Sequence, residues 1–128
     1  MREPIWLDGQ DCIAIHEMML AQHGGLSGVR DEGLLDSALS KPRHLFAYES
    51  PTIAQMAASY AAGIVLNHPF LDGNKRTGFM LAATFLELNG MEFIATEESV
   101  VEMTLALAGG KLKQAAYAKW LSQNSKPR

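Results

Sequence analysis

The chain has 128 residues, a formal net charge of −3, 48% hydrophobic residues and 20% charged residues. That length suits one domain with a real core, and the composition is that of an ordinary globule. No apolar run is long enough to span a bilayer, Met1–Leu7 carries no signal peptide, and the lone Cys12 excludes an internal disulfide; together these features fit the cytoplasm. An acidic balance without a basic stripe weighs against direct DNA binding.

In chain order, the periodicity predicts an all-α domain of about six helices over residues 1–123, with a polar tail at 124–128. Asp8 caps a first helix that Gly24-Gly25 stops near Gln22. Within it, Cys12 sits among Ile13, Ile15 and Met19 and reads as a core thiol. Asp31 caps a second helix through Ser40, which Pro42 ends, leaving 42–50 irregular. Pro51-Thr52 opens a third, with Thr52 and Gln55 as a capping box and Ile53, Met56, Ala57, Tyr60, Ile64 and Val65 at helical spacing. Phe79, Met80, Ala83, Phe85 and Leu86 mark a fourth, ending at Asn89-Gly90. Met91 to Ala95 is a short extended candidate. Thr96 caps a fifth helix, ended by Gly109-Gly110, whose Glu97 and Glu98 suit the N-terminal dipole. A sixth runs from about Leu112 to Leu121, with Ala116 and Trp120 as contacts.

The chemistry concentrates between the third and fourth helices, in His68-Pro-Phe-Leu-Asp-Gly-Asn-Lys-Arg-Thr77. Pro69 cannot continue a helix and disfavours the helical conformation at His68, so the imidazole stands at a helix C-terminus. The segment Asp72–Asn74 stands at the entrance to the next helix. Free N–H groups there attract anions, and Gly73 can adopt the positive φ that lets amides converge. Lys75 and Arg76 in a first turn oppose the helix dipole, at about 0.3–1 kcal/mol each, unless an anion reverses the sign. The local sequence therefore suits polyphosphate binding better than helix stability. Asp72 is read as a Mg²⁺ ligand, as an N-cap, or as both. Phe70 reads as a buried anchor; Thr77 reads as helix surface or a local hydrogen bond, without a role. Elsewhere, Gly110-Lys111 lacks the other P-loop positions, and His16, His23 and His44 make no zinc spacing with Cys12, so they are read as surface or partly buried.

The motif resembles the signature of the Fic/Doc family, in its death-on-curing (Doc-like) toxin branch. His68, Pro69, Phe70, Asp72, Gly73, Asn74 and Arg76 match the wider Fic pattern. Lys75 stands where Fic adenylyltransferases have glycine, and Phe79 where they have a final arginine; Asn-Lys-Arg-Thr is the Doc form. Gly24-Gly25-Leu26 and the run Gly28 to Leu35 also resemble that branch.

The resemblance implies a compact Fic-like bundle with the motif loop between two central helices. It assigns a catalytic set of His68, Lys75 and Arg76, with His68 as general base. It further implies that Gly73, Asn74, Lys75 and Arg76 bind ATP and that Asp72 holds Mg²⁺. Arg76 offers a bidentate fork to phosphate oxygens and Lys75 a point charge. Phe79 cannot hold the outer phosphates as arginine does, which disfavours AMP transfer. The Doc branch implies transfer of the γ-phosphate to a protein hydroxyl, by family analogy on translation elongation factor Tu. The alternatives are a Fic-type nucleotidyl transferase and a catalytically weak nucleotide- or partner-binding protein. The same resemblance implies a cognate antitoxin whose disordered tail folds as a helix on the toxin, with Met18, Met19, Phe46 and Tyr48 as groove candidates that suit the core better. Gly28 occupies the hydroxyl position of the Fic inhibitory helix pattern ahead of Glu32-Gly33, so that internal restraint is not met.

Overall fold

The computed structural model describes residues 2–128. Its elements in chain order are α1 (Gly9–His23), α2 (Glu32–Tyr48), α3 (Ile53–Asn67), α4 (Asn74–Leu88), β1 (Met91–Phe93), α5 (Glu97–Ala108), α6 (Gln114–Gln123) and β2 (Ser125–Pro127). The expected all-α bundle of six helices is present, with one small two-stranded sheet added. No described helix is long and apolar enough to cross a membrane.

The caps read from sequence are realised. Asp8 accepts from the Asp11 N–H and Asp11 accepts in return from Asp8, a reciprocal box. Thr52 and Gln55 do the same at α3. The carboxylate of Asp31 and the hydroxyl of Thr96 each accept from the third residue beyond. Each cap satisfies an amide that a helix start leaves without a partner.

Two expectations are corrected. Pro42 does not end α2, which continues to Tyr48. A proline inside a helix removes one hydrogen bond and costs about 3 kcal/mol in isolation. Here its ring joins Leu35, Ala38 and Leu39 on the buried face, and that burial offsets the loss. In α6, Ala116 is exposed, while Tyr117, Ala118, Trp120 and Leu121 are buried. Within the polar tail, Ser125–Pro127 pairs antiparallel with Met91–Phe93, in the register Met91↔Pro127 to Phe93↔Ser125. A weak ion pair, Lys126 to Glu92 at 3.8 Å, spans the same ladder. The short extended candidate after α4 is β1, and it becomes a strand because this distant segment supplies its partner.

The core sits around α3, which is buried from Met56 to Val65 on every side, as a helix apolar all round must be. Two glycines let its neighbours close on it. A Cβ at Gly63 would lie 2.8 Å from the Cβ of Ala38 in α2. A Cβ at Gly78 of α4 would lie 2.6 Å from Val65 Cγ2 and 3.0 Å from the Ala61 carbonyl oxygen. The C-terminus of α3 and the N-terminus of α4 are thereby held side by side, joined by the motif loop.

Candidate active site

His68 is the C-cap of α3, and its N–H donates to the Ile64 carbonyl at 3.1 Å. Its backbone is left-handed (φ 50°, ψ 55°), and it is the only non-glycine residue with positive φ among the described residues. Pro69 disfavours the right-handed helical conformation at His68, and the left-handed turn lifts the exposed imidazole out of the helix. Arg30 backs this corner: its Nε donates to the His68 carbonyl at 2.7 Å and its Nη2 to the Asn67 carbonyl at 2.9 Å. The N–H groups of Arg30 and Asp31 both donate to the Pro69 carbonyl.

The loop beyond is anchored from inside. Phe70 is 1% exposed and stacks on His16, with ring centroids 3.8 Å apart and planes at 10°. Val29 and Phe70 form an isolated antiparallel bridge, and the Leu71 N–H donates to the Gly28 carbonyl. The Asn74 side chain closes a ring on Phe70, accepting from its N–H and donating to its carbonyl, both at 3.0 Å. His16, read as surface or partly buried, is fully buried, and its Nε2 lies 2.8 Å from the Asp72 carbonyl. A carbonyl only accepts, so Nε2 carries the proton and donates.

At the start of α4, Gly73 is left-handed (φ 75°) and no side chain caps the helix. Asp72 is therefore not an N-cap. Its Oδ1 accepts from the Gly73 N–H at 2.9 Å and its Oδ2 from the Leu26 N–H at 3.2 Å. The first-turn amides of Asn74, Lys75 and Arg76 have no intrahelical acceptor. Lys75 and Arg76 are exposed, and the only ion pair among the described residues is Lys126–Glu92 at the opposite end of α4. Three free amides and two unpaired cations thus open the helix, an arrangement that attracts a polyanion.

Asp72 keeps lone pairs free on both carboxylate oxygens. No group of three or more His, Cys, Asp and Glu able to hold a metal exists among the described residues. That donor set fits Mg²⁺ carried in with phosphates, which needs only one or two protein carboxylates, and does not form an all-protein cage.

The Asn74 side chain spends one acceptor site and one amide hydrogen on Phe70, and its backbone N–H remains free at the helix entrance. Thr77 is neither surface nor locally bonded: it is fully buried and its Oγ1 has no partner, because α4 packs closely on α3. Phe79 is half-buried against Phe93, with centroids 5.5 Å apart, and Phe93 in turn packs on Trp120. Sequence reasoning missed Arg30 and His16 as supports of the motif. Arg30 lay in the quoted Gly28–Leu35 run, and His16 shares its helix face with Cys12 and Met19, the available signal. Of the groove candidates, Met19 is core, Phe46 packs on Trp6, and Met18 and Tyr48 are 44% and 82% exposed. Two clefts lie among α2, α3 and α6 and share no residue with the motif.

Comparisons with known proteins identify the family. The model of the Fic/DOC family matches residues 6–86, from Trp6 through most of α4. The chain is 29% identical over 113 residues to the protein kinase doc of Escherichia phage P1, covering 88% of this chain and 89% of that one. It is 35% identical over 92 residues to the toxin Doc of Mycolicibacterium smegmatis, covering 70% and 68% respectively. The match spans α1 through α4, the elements that build the site, and the chain belongs to the Fic/DOC family, in its Doc-like toxin branch.

Proposed function

We propose that this protein transfers the γ-phosphate of ATP to a hydroxyl of a protein target, and by family analogy that the target is translation elongation factor Tu. The outcome is arrested translation. A cognate antitoxin, its disordered tail folding as a helix on the toxin, restrains it in a type II toxin–antitoxin system. The observation carrying the reading is the pair of departures from the AMP-transfer pattern. Phe79 is packed against Phe93 where a second phosphate-holding arginine is needed, and Lys75 adds a cation at the helix entrance. The name of the phage P1 relative supports the same reaction.

The roles follow from position. His68, exposed at the helix corner, takes the proton of the acceptor hydroxyl as its oxygen bonds to the γ-phosphorus. The bond from that phosphorus to the β–γ bridging oxygen breaks, and ADP leaves. The amides of Asn74, Lys75 and Arg76 hold phosphate oxygens, Arg76 grips two of them, and Lys75 adds charge. Asp72 is the residue that would hold Mg²⁺, which when bound offsets phosphate charge. Phosphoryl transfer asks mainly for positioning and charge stabilisation, which this set supplies.

Labelled ATP tests the reading with purified elongation factor Tu as acceptor. Label from the γ position is expected on the acceptor, dependent on Mg²⁺. Label from the α position instead would establish nucleotidyl transfer, and no label from either beside intact nucleotide binding would leave a binding protein.

A further inference from the structure

We propose that Arg30 is a positioning residue for the base: its guanidinium clamps the backbone of His68 and so aims the imidazole. The inference rests on the phosphoryl-transfer reading for its kinetic consequence and on geometry alone for the clamp.

Arg30 donates to the carbonyl on each side of the His68 Cα. Nη2 holds the Asn67 carbonyl, which belongs to the peptide plane entering His68. Nε holds the His68 carbonyl, which belongs to the plane leaving it. Those two planes define φ and ψ of His68, so one rigid fork fixes both angles. The angles are left-handed, a conformation that L-residues with a Cβ avoid and that persists only when the surroundings impose it. Pro69 contributes by disfavouring the right-handed alternative but donates no hydrogen bond itself.

The fork is itself held. The Arg30 N–H donates to the Pro69 carbonyl at 2.6 Å, and the adjacent Val29 bridges Phe70. Arg30 is thus tied by main chain to the loop that its side chain braces. Its guanidinium has no carboxylate partner among the described residues. Two carbonyls at a helix C-terminus, otherwise short of donors, are its acceptors. The direction of the His68 Cα–Cβ bond follows from φ and ψ, and a base misplaced by about 1 Å can lose about 10²-fold in rate. The Arg30 side chain, like the α4 amides, Lys75 and Arg76, carries only donors, and both of its hydrogen bonds go to the backbone around His68, so its proposed role is to aim the base.

The test uses the full chain with Arg30→Ala and Arg30→Lys. Lysine keeps the charge but cannot span two carbonyls. The first readout is the three-bond HN–Hα coupling of His68, which reports its φ. The second is the split between kcat and the KM for ATP, with elongation factor Tu as acceptor. Arg30→Ala should shift the coupling and lower kcat roughly tenfold to a hundredfold, with KM for ATP changed less than about twofold. Arg30→Lys should fall between it and the wild type, and it carries the test if the alanine variant does not fold. A folded variant with the wild-type coupling, or with a shifted coupling and the wild-type kcat, overturns the proposal. A wild-type protein that transfers no γ-label defeats the phosphoryl-transfer reading instead, and the coupling then decides the clamp alone.

Discussion

His68 concentrates the local strain of the molecule and the general-base role proposed for it at one Cα. A left-handed non-glycine residue costs about 1–2 kcal/mol, and here it brings the imidazole to the surface beside a loop whose other members are pinned. Removing the ring relieves none of the anchoring contacts, because Phe70, Asn74 and His16 make those. His68→Ala should therefore keep its thermal stability and lose about 10²–10⁴-fold in γ-phosphoryl transfer, the span of general-base catalysis; a folded variant that transfers at the wild-type rate would remove His68 from the reaction. Arg76 is exposed and without an ion pair among the described residues, so its side chain is free for phosphate. Arg76→Ala should weaken transfer severely, and Arg76→Lys should restore little, since an ammonium cannot form the bidentate contact. Full activity in Arg76→Lys would show that charge alone suffices there.

At the scale of elements, the site depends on how closely α4 lies on α3. The expected helix boundaries at Asp8, Thr52, Thr96 and Gly109 are local events, set by capping side chains and glycine, and were legible in the chain. The continuation of α2 through Pro42 was not, because it rests on burial of the proline ring beside Leu35, Ala38 and Leu39, which tertiary packing supplies. Gly78 tests the packing. An added methyl meets Val65 Cγ2 at 2.6 Å and the Ala61 carbonyl oxygen at 3.0 Å, and that backbone atom cannot swing away. Gly78→Ala, normally favourable inside a helix, should here cost about 1–3 kcal/mol through overpacking. The thermal midpoint should drop by roughly 5 °C or more. An unchanged or raised midpoint would mean that the helices separate readily and that the site is less rigidly framed.

For the whole molecule, burial sets the response to alkali. Desolvation pushes the Cys12 thiol from 9.0 up to about 12, with the charge of Asp11 adding to the shift. It pushes the Tyr117 hydroxyl from 10.0 to about 12, against the opposing hydrogen bond with Thr104. Both groups hold their protons more tightly folded than unfolded, so between about pH 9 and 12 the unfolded chain binds fewer protons and stability falls as pH rises. This contribution is fully present below pH 9.0 and is lost through about pH 12. Thermal midpoints should decline across that window, and Cys12→Ala should flatten the early part of the decline while lowering stability at neutral pH by the lost packing. A wild-type and a variant curve of equal slope from pH 9 to 11 would place the alkaline transition elsewhere.

What the chain determined by itself was whatever short-range chemistry determines. Six helical periodicities, their caps, the interruption at Pro69 and the cluster from His68 to Arg76 depend on residues within a turn or two of one another, so they can be read in order. The family resemblance was legible for the same reason, since it rests on a contiguous motif. Tertiary structure alone decided which polar residues support that motif. Arg30 reaches Asn67 and His68 across 37 and 38 positions, His16 reaches Asp72 across 56, and the Leu26 amide reaches Asp72 across 46. Thr77, read as surface or locally bonded, is a buried hydroxyl because α4 packs closely on α3. The tail became a strand because β1 offered an edge. Local sequence states which groups are available; close packing between distant segments states which of them remain free to meet a ligand.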